Sequence, residues 1–320
     1  MLDPLSQTSE LHVVLFDDLE RKIPNIKVGH RDVSFHNLEK QPGILHLPRL
    51  IWKLYRLVNQ IRPSILISFL DHVNILSLLV GRITGTKNIV WGLRTSSFEA
   101  GEFGIKGDLV RKAGILLSRK VDLLVSNNRT GLVQYKNLGA QPKRSMIIHN
   151  GIDTELFKPS QSQRIELRQE LGIGEEQIVI GIVARLVPWK GYEIFLQAAA
   201  MVTEKQNNVV FVCVGQGELK FEKYCKNLVS TLGLQSSVKW LGDRHDVAKI
   251  LNGIDIFVLS STSGEGFSNA LCEAMAVARP VIVTDVGDSK DIVQSQGIVV
   301  APNNHTALAE AIIRALADPL

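Results

Sequence analysis

The sequence predicts an α/β protein built from two doubly wound domains, and two observations carry that prediction. First, a chain of 320 residues is longer than one ordinary hydrophobic core requires. Second, apolar, β-branched runs alternate with segments of helical spacing, and the runs are continuously apolar. Strands buried on both faces of a parallel sheet have this pattern.

The alternation is most regular in the second half. Helical spacing fills residues 191–206, 218–233 and 266–278. The predicted strands are 178–186, 209–215, 238–242, 254–260, 280–286 and 297–302. Because strand and helix alternate, we expect right-handed crossovers and a parallel sheet.

The first half repeats the pattern less cleanly. Its predicted strands are 11–17, 64–70, 88–93, 122–127 and 145–150, and its predicted helices are 48–62, 72–84, 107–121 and 129–138. The segment FKPSQSQ (157–163) predicts the connection, which gives domains 1–158 and 159–320. Two such domains place a ligand cleft between the carboxyl ends of their sheets.

Composition narrows the class of protein. The chain is 45% hydrophobic and 21% charged, as in soluble globular proteins, and its polar opening predicts no signal peptide. No apolar run reaches the roughly 18–20 residues of a membrane-spanning helix. Cys213, Cys225 and Cys272 lie far apart without C-x-x-C spacing, so we expect reduced thiols in a cytoplasmic protein.

The net charge of +4 divides unevenly. Residues 1–160 hold 22 Lys and Arg against 14 Asp and Glu, whereas residues 161–320 hold 14 against 18. The basic half predicts an anionic partner (a membrane surface, a phosphorylated lipid acceptor or a nucleic acid), although the excess also serves solubility alone. No basic surface interleaved with aromatic residues is evident, so we expect no nucleic-acid partner.

The predicted helix 107–122 surrounds an apolar stripe with basic side chains, namely Arg111, Lys112, Arg119 and Lys120. Such a helix rests on an anionic membrane, or it is a core helix with a solvated basic face. Both interpretations stay open from the sequence.

Arg185 and Lys190 flank a turn between a predicted strand and a predicted helix, in ARLVPWKGY (184–192). A guanidinium, an ammonium and a helix N-terminus together suit a diphosphate. The pair alone also fits solvated cations at a strand end.

A second strand end, STSGEGFSNALCEAMA (261–276), carries Glu265 and Glu273. With a helix beginning near Phe267, the N–H groups of Gly266 through Asn269 are available to phosphate or sugar oxygens. Glu273 then lies roughly 9 Å along the helix, at ~1.5 Å per residue. Ionised carboxylates accept hydrogen bonds from vicinal hydroxyls, so the two glutamates suit a hexose and a ribose.

A third strand end, WLGDRHDVA (240–248), offers Arg244, His245 and Asp246 either as one edge of a nucleotide base site or as an exposed polar turn. The chain lacks Asp-x-Asp, a phosphate loop, H-E-x-x-H and G-x-S-x-G. Gly215 and Gly217 in VGQGEL are too closely spaced for a dinucleotide fingerprint.

Together these motifs resemble glycosyltransferase family 4, the retaining family with the two-domain GT-B fold. The resemblance is nearly continuous over residues 145–317. It rests on Arg185 and Lys190, the glycine turn 214–218, the E-x7-E spacing of Glu265 and Glu273, the stretch 281–293, and HNGIDTELFKP (149–159).

The first half departs from the family pattern. It lacks the opening strand with a Gly-rich turn, and the chain stops where members continue into further helices, so we expect a chain truncated at both ends. The strand 88–93 leads to Arg94 where many relatives carry a histidine. His72, which follows another strand, is either a cleft residue or a structural one. Five residues are further candidates for the cleft, namely His72, Arg94, Asn150, Gly215 and Arg244.

The resemblance implies the following roles. Arg185 and Lys190 neutralise the departing diphosphate, Glu265 orients the donor sugar, Glu273 fixes the ribose, and Gly266, Phe267, Ser268 and Asn269 hold phosphate and sugar. The donor is a UDP- or GDP-sugar, the acceptor a glycan or a lipid-linked glycan, and no metal or resident cofactor is expected. A sugar-nucleotide epimerase and a non-catalytic sugar-nucleotide-binding protein remain alternatives.

Overall fold

The computed structural model describes residues 9–16, 33–38, 46–95 and 104–317. Contacts divide the chain into two compact units. The first comprises Met1–Leu93, Ala100–Val125 and Leu138–Met146, and the second comprises Arg94–Glu99, Ser126–Asn137 and Ile147–Leu320. The α/β class is confirmed, whereas the predicted boundary after residue 158 stays a prediction. The polar opening residues 1–8 and the last residue of the predicted strand 11–17 lie outside the described residues.

The second unit is built on a six-stranded sheet of order β12-β11-β10-β7-β8-β9, whose recorded pairs are all parallel. Its strands are β7 (Ile178–Val183), β8 (Val209–Val214), β9 (Val238–Gly242), β10 (Ile256–Leu259), β11 (Val281–Thr284) and β12 (Ile298–Val300). Every residue of β8, β10 and β11 is buried, which is why these strands are continuously apolar.

Helices cover both faces of this sheet. One core cluster joins the strands to α6 (Tyr192–Thr203), α7 (Leu219–Thr231) and α11 (His305–Ala317). The other joins them to α5 (Gln161–Leu171), α8 (Val247–Gly253), α9 (Asn269–Ala276) and α10 (Ser289–Val293). The strand order reverses between β10 and β7, and ligands of doubly wound sheets bind outside the carboxyl ends of the strands at such a point.

A four-stranded sheet of order β3-β4-β5-β6 lies mainly in the first unit, and a separate parallel pair joins β1 to β2. The strands are β1 (Leu11–Leu15), β2 (Val33–Asn37), β3 (Ile65–Phe69), β4 (Asn88–Leu93), β5 (Leu123–Ser126) and β6 (Ser145–Ile147). The helices are α1 (Leu47–Ile61), α2 (Asp71–Ile83), α3 (Gly104–Leu117) and α4 (Arg129–Asn137). Among the helices that the structure describes, none has the length and apolar character needed to cross a bilayer.

Some predicted bounds are wrong. The helix predicted at 107–122 ends at Leu117 and continues only as a short 3-10 turn, Ser118–Lys120. Within it, Arg111 is buried and its guanidinium pairs with Asp108 at 2.6 Å, so this cation does not belong to a solvated basic face. Helix α9 begins at Asn269, two residues later than predicted, and α5 begins inside the predicted connection.

Candidate functional site

The loop after β7 packs directly against the end of β10. It contains the exposed Arg185 and a 3-10 turn, Pro188–Lys190, and ends at Gly191 in the left-handed region with φ of 70°. A Cβ on Gly191 would lie 1.8 Å from the carbonyl oxygen of Ser260, so this position requires glycine. The two loops that carry Lys190 and Glu265 therefore meet where the strand order reverses.

Lys190 and Glu265 form a buried ion pair, with 2.7 Å between Nζ and Oε2. Their side chains are 17% and 6% exposed. The same carboxylate oxygen accepts a hydrogen bond from the Ser261 hydroxyl at 2.6 Å. Two predicted site residues thus come together, and Ser261 joins them although no sequence motif marked it.

A cavity of about 520 Å³ opens beside the ends of β7 and β8. Three predicted residues, Arg185, Gly215 and Arg244, line it together with Val183, Ala184, Val214, Gln216, Gly217, Asp243 and Val247. A Cβ on Gly215 or Gly217 would lie 1.8 Å from a carbonyl oxygen of the β7 loop, so these glycines allow the cavity wall to close tightly.

Arg244 lines this cavity and is also held by two carboxylates. Its guanidinium donates to both oxygens of Asp246, each at 2.7 Å, and to Glu170 at 2.6 and 3.3 Å. Lys249 contacts the same two carboxylates at 2.8 and 3.1 Å. The hydrogen bonds from Arg244 and then Lys249 lower the pKa of Glu170 to about 2, so the cluster stays charged well into acid. His245 is exposed.

The start of α9 differs from the sequence prediction. Ser268 is its N-cap, and the Ser268 hydroxyl accepts a hydrogen bond from the Leu271 N–H at 3.4 Å. One N–H that such a helix leaves unpaired is therefore already occupied. With α9 starting at Asn269, Glu273 lies about 6 Å along the helix, closer to its start than predicted.

The segment 149–150 contacts the same loop. The Asn150 amide donates to Oδ1 of Asn269 at 2.8 Å, and the His149 ring stacks on Phe267 with 5.0 Å between centroids. The structure therefore joins the predicted Asn150 to the predicted Phe267–Asn269 segment. His149 was not predicted, although it immediately precedes the Asn-Gly pair of the family motif.

Asp288 is a residue of this region that the sequence did not reveal. It is buried, and its carboxylate accepts hydrogen bonds from the Arg129 N–H at 2.5 Å, the Thr130 N–H at 2.9 Å and the Thr130 hydroxyl at 2.7 Å. Its own N–H donates to the Gly266 carbonyl at 3.3 Å. Asp288 therefore fixes the start of α4 against the loop that leads to α9.

The remaining predicted residues lie elsewhere. Glu273 is half-buried on α9, and burial raises the pKa of its carboxyl. His72 lies exposed at the start of α2, and Arg94 lies exposed directly after β4. Their predicted roles in a cleft stay predictions.

Two family models match the chain. The model described as Glycosyltransferase Family 4 matches residues 8–156, and the model described as Glycosyl transferases group 1 matches residues 163–320. Together they span nearly the whole sequence. The chain belongs to glycosyltransferase family 4.

Two named glycosyltransferases are similar over most of this chain. A UDP-Gal:alpha-D-GlcNAc-diphosphoundecaprenol alpha-1,3-galactosyltransferase from Escherichia coli is 27% identical over 83% of this chain and 69% of its own length. An N-acetylgalactosaminyltransferase from Campylobacter jejuni, named for a diphospho-undecaprenol-linked substrate, is 26% identical over 89% of this chain and 75% of its own length.

The GT-B fold predicted for this family 4 chain is confirmed. The structure of Anabaena HepE in complex with UDP and glucose superposes with a TM-score of 0.83 at 23% identity, and the match covers 99% of this chain and 84% of HepE.

Proposed function

We propose that this family 4 glycosyltransferase moves a hexose from a nucleotide-diphosphate sugar to a lipid-linked or glycan acceptor, with retention of anomeric configuration. The observation that carries the proposal is the meeting of Lys190 and Glu265 where the strand order reverses, with Arg185 lining the adjacent cavity. At the carboxyl edge of a doubly wound sheet, cations can bind a diphosphate, and a neighbouring carboxylate can accept hydrogen bonds from the hydroxyls of a sugar joined to it.

The proposed roles follow the chemistry of each side chain. Arg185 and Lys190 bind the diphosphate and stabilise the negative charge that develops as it departs. Glu265 accepts hydrogen bonds from the sugar hydroxyls, and Glu273 accepts them from the ribose. The segment 266–269 contacts phosphate and sugar through its backbone, and Arg244 with Gly215 lines the nucleoside end.

The bond from the anomeric carbon to the phosphate oxygen breaks while a bond to the acceptor hydroxyl oxygen forms on the same face. The acceptor proton passes to the departing phosphate oxygen. Arg185 and Lys190 supply the charge stabilisation, so we propose that transfer needs no metal ion.

We propose UDP as the donor nucleotide, with GDP as the alternative. The Escherichia coli relative, which is 27% identical over most of the chain, is named for UDP-Gal. The same relative and the Campylobacter relative are named for undecaprenol-linked substrates, which supports a lipid-linked acceptor in surface polysaccharide synthesis. We therefore propose that the chain acts in the cytoplasm, at the inner face of the membrane.

A thermal-shift panel of UDP-, GDP- and ADP-sugars, each with magnesium and with chelator, tests the donor site. One clear stabilisation that chelator leaves unchanged is the expected result. A stabilisation that requires magnesium contradicts metal independence, and no shift from any sugar nucleotide contradicts the donor site. Transfer to an undecaprenol-diphosphate-linked sugar then separates this enzyme from a binding protein, and release of an epimer without acceptor identifies an epimerase.

A further inference from the structure

One side of α1 leaves large apolar side chains in solvent. Leu47, Trp52 and Tyr55 are 41%, 55% and 37% exposed, and Ile83 at the end of α2 is 72% exposed. These four side chains border a groove of about 520 Å³ whose other lining residues, Pro48, Ile51 and Val80, are also apolar. The buried side of α1, in contrast, packs through Leu50, Leu54 and Val58.

Arginines border this apolar row on its outer side. At about 100° per residue, Arg49 and Arg56 lie within roughly 20° of each other around the helix, just beyond Trp52. Both are exposed, and the Arg56 guanidinium lies 4.9 Å from the centroid of the Trp52 ring. The sequence from residue 46 to residue 62 contains no Asp or Glu, so no carboxylate of the helix opposes these charges.

We infer that this face of α1 and α2 rests on the surface of an anionic lipid bilayer. We name it the docking face and define it by Leu47, Arg49, Trp52, Tyr55, Arg56 and Ile83. Its side chains are of the three kinds that suit a membrane interface: aliphatic groups for the acyl region, aromatic rings for the headgroup level and guanidinium groups for the lipid phosphates.

The structure favours α1 over the helix predicted at 107–122. On α3, Arg111 is buried against Asp108, so the basic ring around that apolar stripe is incomplete. On α1, exposed arginines border an exposed apolar row that includes the aromatic rings of Trp52 and Tyr55, whereas residues 104–120 contain no aromatic residue. Lys112, Arg119 and Lys120 are exposed as well, so it is the aromatic rings of α1 that favour this helix for the headgroup level of a membrane.

This inference rests on the proposed function only for the identity of the membrane, since a lipid-linked acceptor lies in one. The contact itself is independent of donor chemistry, because every residue of the docking face belongs to the first unit and the donor residues Arg185, Lys190, Glu265 and Glu273 belong to the second. Failure of membrane binding and failure of donor binding are thus separate results.

The test is flotation of the full chain with vesicles of phosphatidylcholine alone or of phosphatidylcholine with phosphatidylglycerol. We expect flotation with the anionic vesicles that weakens as salt is raised, because exposed charges are screened beyond about 10 Å at 0.1 M salt. Replacing Arg49 and Arg56 by Gln should weaken binding about fivefold for each arginine. Replacing Trp52 and Ile83 by Ser should weaken it about tenfold at constant charge.

Matched controls come from α7 of the second unit. Leu219→Ser removes a side chain that is 74% exposed, and Lys220→Gln with Lys223→Gln removes two cations. Each should float like wild type. Thermal melting, with and without the stabilising sugar nucleotide, shows that every variant is folded.

Three outcomes overturn the inference. If the wild-type chain does not float with anionic vesicles, the docking face does not bind a membrane. If it floats equally well with neutral vesicles, the arginines do not contribute to binding. If the α1 variants float like wild type but Leu109→Ser on α3 does not, the membrane contact lies on α3 instead.

Discussion

Lys190 and Glu265 form an ion pair, so the cation proposed for the diphosphate is oriented by the carboxylate proposed for the sugar. Both side chains are largely buried, and Ser261 donates to the same oxygen. Breaking a buried pair leaves an uncompensated charge, whereas removing an exposed cation does not. Lys190 and Arg185 should therefore respond differently to substitution.

We expect Arg185→Ala to lower turnover roughly 100-fold while the melting temperature stays unchanged, because an exposed donor to the departing diphosphate is lost. Lys190→Ala should lower turnover and also destabilise the fold by about 3–5 kcal/mol. Sugar-transfer assays and thermal melting measure the two effects, with the exposed Lys220→Ala as the control. Unchanged turnover in Arg185→Ala contradicts the proposed diphosphate site.

Burial of Glu273 gives a pH prediction. Its raised pKa means that, as the pH falls from neutral, this carboxyl takes up a proton before an ordinary glutamate does. A protonated carboxyl is a poorer acceptor for ribose hydroxyls, so donor affinity should fall at a pH above the usual glutamate range. Calorimetric titration of a sugar nucleotide across pH measures this. The Glu273→Gln variant should bind the sugar nucleotide about tenfold more weakly at neutral pH, and its affinity should no longer fall in this pH range. If the affinity still falls there, another group is responsible for the pH dependence.

Gly215 lies at φ of 136°, and a Cβ there would meet the Ala184 carbonyl. We expect Gly215→Ala to destabilise the second unit by at least about 1–3 kcal/mol and to weaken donor binding, because the cavity wall must move. Urea unfolding and donor titration report both changes. Gly174→Ala is the matched control, because its φ is not positive and a Cβ there would make only an ordinary contact, 3.7 Å from Oε1 of Gln177; it should leave both close to wild type.

At the scale of elements, Glu170 connects α5 to the cavity through Arg244. The side chain of Glu170 is 37% exposed and does not line the cavity, so we interpret it as a positioning residue. It and Asp246 together limit the orientations that the Arg244 guanidinium can adopt. The position of Arg244 therefore depends on how α5 packs against α8.

Glu170→Gln should raise the KM for the donor roughly three- to tenfold and leave kcat unchanged, since Arg244 loses a fixed partner but not its charge. Glu166→Gln, an exposed glutamate on the same helix, should change neither constant. Glu170→Asp should recover part of the loss. A fall in kcat without a change in KM would show that Glu170 acts on the chemical step and not on donor binding.

The elements that the sequence predicted are those whose apolar runs decide their structure. Strands β7 to β12 follow from continuous apolar runs, because burial on both faces imposes that pattern. Helix α5 was not predicted in QSQ, where composition resembles a loop, yet Ser160 caps it by accepting from the Gln163 N–H at 3.3 Å. Strand β2, VSFHN, has too few apolar residues to identify it.

The candidate site was predictable where it depends on strand ends and unpredictable where it depends on strand order. Arg185 lies at the end of a predicted strand, and Lys190 and Glu265 follow predicted strands, so their place at the carboxyl edge follows from sequence. That Lys190 pairs with Glu265, 75 residues away, requires β7 and β10 to be neighbours. The contact of Asp288 with the start of α4 spans 158 residues and left no local signal.

At the scale of the whole molecule, the two proposed ligands bind different units. A sugar nucleotide should slow amide hydrogen exchange in the loops after β7 and β10 and leave α1 unchanged, because local protection follows the segment that a ligand orders. Anionic vesicles should slow exchange in α1 and leave those loops unchanged. Exchange measured by mass spectrometry on the same sample distinguishes them. Vesicles that protect the donor loops would contradict this assignment of ligands to units.

The glycines at the carboxyl edge of the second unit have a consequence for protein engineering. A Cβ on Gly191, Gly215, Gly217 or Gly287 would lie 1.8 Å from a carbonyl oxygen of another loop, so these loops touch through bare backbone. Recombination between homologous parents that exchanges one of these loops alone would combine surfaces shaped for different neighbours. Chimeras that alter donor preference should therefore inherit the loops after β7, β8, β10 and β11 from a single parent.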